Sequence, residues 1–164
     1  MMAAASRLEL AHPSGTTAIF VGRDATVEAR EELGAWLAGR QVFVVSSAAL
    51  FELHESRIRS LEELAGEAIR ATVPDGEAAK TPRAFEGLWT AMLAAGGTRE
   101  SVVLGVGGGS VTDVAGFAAA TYLRGVDLGL VPTTLLGQVD AAVGGKTAID
   151  LPAAKNSVGA FWQP

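Results

Sequence analysis

Apolar residues along this chain fall into two textures. Short continuous runs alternate with longer stretches in which apolar positions recur every three or four residues. Val42-Phe43-Val44-Val45, inside Gln41–Ser46, is the clearest short run, and its β-branched and aromatic content predicts a strand. Thr17–Val21, Ala68–Val73, Ser101–Val106 and Leu128–Val131 read as further strands, the second ending at the turn signature Pro74-Asp75-Gly76 and the last at Pro132. Between them, Glu28–Ala38 sets Ala29, Leu33, Trp36 and Leu37 on one helical stripe, and Ala48–Ser60 reads as a second helix. A third opens with Thr81 as N-cap and Pro82 at the first helical position, presents Phe85, Leu88, Trp89, Met92 and Leu93, and stops at Gly96-Gly97. Another starts in the glycines behind Val106. Strands alternating with helices of this length predict βαβ units, hence a Rossmann-like α/β fold with a mainly parallel sheet, residues 1–164 forming one domain.

Composition narrows the class. In 164 residues, 49% are hydrophobic and 19% charged, which argues against a disordered chain. A net charge of −5 argues against general nucleic-acid binding while leaving room for a local basic pocket. The absence of cysteine removes disulfides, thiolate–zinc sites and cysteine nucleophiles, and suits a cytoplasmic protein. The opening MMAAASRLEL lacks a basic start and is interrupted by Arg7 and Glu9, so it is a poor leader sequence. Val102–Leu123 is the most apolar segment, but Thr112, Asp113 and its glycines mark a buried strand and a packed helix, not a membrane span.

Thirteen of the 20 glycines lie between Gly96 and Gly159. Gly107-Gly108-Gly109-Ser110 follows a strand and opens a helix carrying Asp113, an arrangement that lets backbone N–H groups and a helix N-terminus approach a phosphate. The run does not have G-x-G-x-x-G spacing, and alone it also fits a tight turn with no ligand. Thr133 and Thr134 stand at another helix start, where hydroxyls and N–H groups face a ligand or simply cap the helix. Gly144-Gly145-Lys146-Thr147 resembles the end of a P-loop, but Asp140 stands where the first glycine is required. Arg124, Lys146 and Lys155 are the only basic residues after Ser101; with Asn156 they suit an anionic small molecule, although any one of them is equally a solubilising surface cation.

In order and spacing, Gly107–Phe117, Ala119–Gly125, Val131–Leu136, Gln138–Asp140, Val143–Thr147, Lys155-Asn156 and Gly159–Phe161 resemble the signature series of 3-dehydroquinate synthases; Gly76-Glu77-Ala78-Ala79-Lys80 resembles that family's G-E-x-x-K segment. The resemblance implies an N-terminal NAD-binding α/β domain and an all-helical C-terminal domain that supplies a glutamate and two histidines for zinc or cobalt. It implies conversion of 3-deoxy-D-arabino-heptulosonate 7-phosphate to 3-dehydroquinate, by oxidation with NAD, phosphate elimination, re-reduction, ring opening and aldol closure. Carried over by motif, Gly108, Gly109 and Ser110 lie against the pyrophosphate; Asp113, Thr133 and Thr134 contact the cofactor; Glu77 and Lys80 meet its adenosine ribose; Lys155 lies on the nicotinamide side. Asp140, Lys146 and Asn156 hold the substrate's hydroxyls and carboxylate. Arg124 reaches its phosphate, across the interface of a homodimer.

Several positions depart from the family pattern. Ala148 and Ala154 replace glycines, Asp150 stands at an asparagine-like position, Ser157 replaces a common leucine, and Ser46-Ser47 stand where an acidic or amide residue contacts the ribose. His12 and His54 are the only histidines and no glutamate follows Glu100, so the metal ligands are expected outside this chain, in a missing half or a second polypeptide that Phe161-Trp162 would pack against. Other sugar-phosphate cyclases of secondary metabolism, and an isolated non-catalytic nucleotide-binding module, are the competing readings.

Overall fold

The computed structural model describes residues 5–164, so the first four residues of the opening read as a poor leader lie outside it. The described part opens with an antiparallel hairpin, β1 (Ser6–His12) against β2 (Gly15–Val21), in register from Ser6↔Val21 to His12↔Gly15. The sequence predicts only its second strand, because Ser6, Arg7, Glu9 and His12 interrupt the apolar signal of the first. Two short helices follow, α1 (Ala25–Glu28) and α2 (Arg30–Leu37); α2 occupies the helix predicted over Glu28–Ala38, and α1 is an added turn ahead of it, separated at Ala29. Strand β3 (Gln41–Ser47) leads to α3 (Ala48–Leu53) and α4 (Glu55–Glu62). The predicted single helix over Ala48–Ser60 is therefore interrupted, at His54, whose φ of −112° and ψ of 20° leave the helical basin.

Strand β4 (Glu67–Val73) ends in a 3₁₀ turn over Gly76–Lys80, and α5 (Pro82–Ala94) starts as predicted, the Thr81 hydroxyl accepting from Ala84 N. Strand β5 (Val102–Gly107), α6 (Gly109–Thr121) and β6 (Asp127–Pro132) complete a four-stranded sheet of order β4-β3-β5-β6. All of its neighbours are parallel. The alternation of the central strands fills both faces. Phe43, Val45 and Val103 join Phe85, Leu88, Met92, Val114 and Phe117 on one side; Val42, Val44, Val102 and Leu104 join Leu37, Phe51, Ile58 and Leu61 on the other. The result is helix, sheet, helix.

Beyond β6 the chain departs from simple alternation. A short helical turn closes as π-helix over Gly137–Ala141, and a second antiparallel hairpin follows, β7 (Lys146–Leu151) with β8 (Ala154–Phe161). This hairpin packs on the face of α6 turned away from the sheet. Helix α6 is thus covered on both sides, which explains its small residues: a Cβ on Gly116 would lie 2.2 Å from Thr147 Cγ2, so β7 reaches the helix only over a bare Cα. Trp162 closes the structure from within, its Nε1 donating to Val126 O at 3.0 Å, while Phe161 stays 83% exposed.

Candidate functional site

In a sheet of order β4-β3-β5-β6, the chain leaves β3 in one direction and returns past it to β5 in the other. Ligands of open parallel sheets bind at such a reversal, outside the C-terminal ends of the strands. A cleft of about 130 Å³ opens there, lined by Ser47, Leu50, Asp75, Gly76, Gly108, Gly109 and Ser110. Gly108 is the N-cap of α6 and offers no side-chain cap, so the first-turn N–H groups keep their donors free for an anion. Its φ of −78° and ψ of −172° are extended backbone that any residue adopts. A Cβ there would sit 3.1 Å from Thr134 Cγ2, a tight contact to which that exposed side chain would have to yield.

Beside the cleft runs a chain of polar contacts joining three elements. Lys80, only 3% exposed, donates from Nζ to Asp113 Oδ2 at 2.7 Å and to Asn156 Oδ1. Burial pushes the Asp113 carboxyl above its ordinary range, and the neighbouring ammonium opposes that push; the short contact is the geometry of an ionised pair. Glu77 accepts from Ser110 Oγ at 3.0 Å through one oxygen and from Lys155 Nζ at 3.4 Å through the other. Glu77, Lys80, Ser110, Asp113, Lys155 and Asn156, spread over 80 residues of sequence (Glu77 to Asn156), therefore form two adjoining clusters.

Other candidates stand apart. The N–H of Thr133 is donated to Gly107 O at 2.9 Å and so is not free for a ligand, contrary to the expectation from sequence; Thr134 Oγ1 accepts from Gly137 N at 3.1 Å as a plain cap. Asp140 and Lys146 are exposed, on the π-helical turn and at the first residue of β7. Arg124 lies beyond the far end of α6, 13 residues or about 20 Å of helix from the glycine turn. Of the three cations, Lys155 is the one hydrogen-bonded into the polar clusters. Leu123 and Arg124 both take left-handed backbone, with φ of 47° and 68°.

Sequence reasoning missed Leu50 and Asp75, which line the cleft. The signal for Asp75 was present, a turn at the end of a strand; what was lacking was the strand order that puts β4's end beside the reversal. Ser46 and Ser47 divide their tasks. Ser46 Oγ is buried and donates to Val106 O at 2.6 Å, so only Ser47 faces the cleft.

Comparison with known proteins decides the family. The model of the N-terminal part of 3-dehydroquinate synthase matches residues 70–164. The chain belongs to the 3-dehydroquinate synthase family. A curated 3-dehydroquinate synthase of Streptomyces avermitilis is 44% identical over 166 residues, covering 100% of this chain and 45% of that protein. The chain spans less than half the length of the curated synthases it matches. Among solved structures, a 2-deoxy-scyllo-inosose synthase superposes with a TM-score of 0.86 at 26% identity, over 97% of this chain and 45% of the other. The 2-epi-5-epi-valiolone synthase of Streptomyces hygroscopicus, solved with NAD+ and Zn2+ bound, superposes with a TM-score of 0.68 at 30% identity, over 79% and 36%.

Within the 3-dehydroquinate synthase family pattern, the alanines at 148 and 154 carry no backbone penalty. Neither has positive φ; the left-handed position of this hairpin is Asn156, with φ of 50°. Among the described residues no group of three or more His, Cys, Asp or Glu side chains is placed to hold a metal, and no helix is long and apolar enough to cross a membrane.

Proposed function

We propose that this chain is the NAD-binding part of a 3-dehydroquinate synthase that cyclises 3-deoxy-D-arabino-heptulosonate 7-phosphate to 3-dehydroquinate with release of phosphate, in the cytoplasm. The observation that carries the reading is the uncapped start of α6 at the sheet's reversal, in a family whose signature residues surround it. Free N–H groups, a helix N-terminus and adjacent glycines that leave the backbone bare suit a diphosphate. NAD, when bound, supplies the hydride acceptor and returns the hydride later.

Gly108, Gly109 and Ser110 hold the pyrophosphate in this reading. Glu77, Lys80, Asp113, Thr133 and Thr134 line the rest of the cofactor site, with Lys155 on the nicotinamide side. Thr133 acts through its side chain or carbonyl, since its N–H is engaged. Asp140, Lys146 and Asn156 meet the substrate's hydroxyls and carboxylate. Arg124 meets the substrate phosphate from a second copy in a homodimer, the reading that suits its distance from the glycine turn. Among the described residues no set of side chains fits the divalent metal that the family implies, and this reading assigns its ligands to the remainder of the enzyme. The curated synthase at 44% identity favours this substrate over those of the cyclases at 26% and 30%.

Calorimetric titration with NAD tests the assignment. Wild type binds, and Gly108→Val loses about tenfold or more in affinity while its far-UV circular dichroism is unchanged, because the branched side chain crowds the turn against Thr134 and screens its N–H groups, at an extended position whose backbone any residue adopts. Equal affinity in the two proteins removes the pyrophosphate from this turn.

A further inference from the structure

The β7–β8 hairpin does not keep its register to the tip. Ile149 faces Val158, but the next pair is Leu151 with Ala154, so the single residue Asp150 stands opposite Lys155, Asn156 and Ser157. An excess of residues on one strand bends it and re-aims its side chains. At the centre of the excess, Asn156 takes a φ of 50° and donates its backbone N–H to Asp150 Oδ1 at 2.7 Å. That hydrogen bond, ahead of the nearby ammonium groups of Lys80 and Lys155, holds the Asp150 carboxyl below its ordinary range. The two side chains on the bulge then part company. Asn156 Oδ1 accepts from the buried Lys80, and Lys155 Nζ reaches Glu77 Oε2 at 3.4 Å.

We infer that Asp150 is a positioning residue: by capping the Asn156 N–H it fixes the β8 bulge and so aims Asn156 and Lys155 at the two halves of the site. The inference rests on the ligand assignments proposed above. An alanine at 150 leaves the N–H of a left-handed residue without a partner. An asparagine keeps a carbonyl oxygen within the same reach, so the conservative change rescues what the truncation loses.

Amide hydrogen exchange by NMR on wild type, Asp150→Ala and Asp150→Asn, with NAD titrations on the same samples, tests this. The Asn156 amide exchanges slowly in wild type and Asp150→Asn and about tenfold faster in Asp150→Ala, while the amides of α6 and of the parallel sheet keep their protection. NAD affinity falls about tenfold in Asp150→Ala and returns to within about threefold of wild type in Asp150→Asn. A protected Asn156 amide in Asp150→Ala, or undiminished NAD affinity in that variant beside a wild type that binds, overturns the inference. A wild type that binds no NAD overturns the ligand assignment instead, and the exchange of the Asn156 amide still decides whether Asp150 sets the bulge.

Discussion

Lys80 is one of three lysines in the chain, and the one whose ammonium is buried. Its two acceptors come from different elements, Asp113 in α6 and Asn156 in β8, so one side chain pins the hairpin to the glycine helix. Removing only the cation strands a half-buried carboxylate. Lys80→Met is expected to lower unfolding stability by about 2 kcal/mol, less than for a fully buried pair because Asp113 keeps some contact with water. Adding Asp113→Asn recovers part of that loss, since no charge is then left unpaired; urea unfolding of the single and double variants measures the coupling, and a double variant as unstable as the sum of the two singles refutes it. At this scale the candidate residues that the structure brings together, among them Glu77, Lys80, Ser110 and Asp113, could be named from their order along the chain, because a glycine turn and the G-E-x-x-K segment are local patterns. Their partners could not. Nothing local announces that Lys80 meets Asn156, or that Asp150 holds Asn156 in left-handed backbone.

Elements show the same division. The four parallel strands and α5 could be read because their apolar periodicity and caps are strong, whereas β7 and β8 carry Lys, Asp, Asn, Ser and Gly and owe their extended form to pairing with each other and packing on α6. Helix α4 is similarly tied by tertiary contact. Glu55, at its first position, accepts from Arg70 Nη1 of the edge strand β4 at 2.7 Å and from Arg59 Nη2 at 2.9 Å, and Arg70 also lies 5.1 Å above the Phe51 ring. These bonds, led by that from Arg70, hold the Glu55 carboxyl down to about 2. A carboxyl depressed in the folded state contributes stability above its unfolded pKa, and that contribution is lost as pH falls toward the folded value. The wild-type melting temperature therefore drops as pH is lowered from about 5 to about 2.5, and Glu55→Gln shows a shallower drop over the same range. The difference shrinks in high salt, as exposed pairs are screened. Parallel pH curves for the two proteins would show that the pair does not couple α4 to the sheet edge.

On the scale of the whole molecule, two clusters of buried side chains cover both faces of one sheet, and the strands of that sheet contribute to both. A core shared in this way cannot lose one layer and keep the other, so thermal unfolding followed by near-UV and far-UV circular dichroism is expected to give one coincident cooperative transition. The apolar surface is not fully covered. Leu135, Leu136 and Val139, on the helical turn after β6, are 76%, 68% and 68% exposed, and Phe161 at the end of β8 is 83% exposed. These side chains contribute little to the core of this chain, and exposed apolar groups of this size are the kind that interaction surfaces carry. Replacing Leu135, Leu136 and Val139 together by serine should leave the melting temperature within about 2 °C of wild type, because surface substitutions away from packed features are nearly neutral. The same replacement should reduce binding of an apolar dye and concentration-dependent association in sedimentation. If it instead lowers the melting temperature sharply, the turn is a structural part of this domain and not a surface kept for a partner.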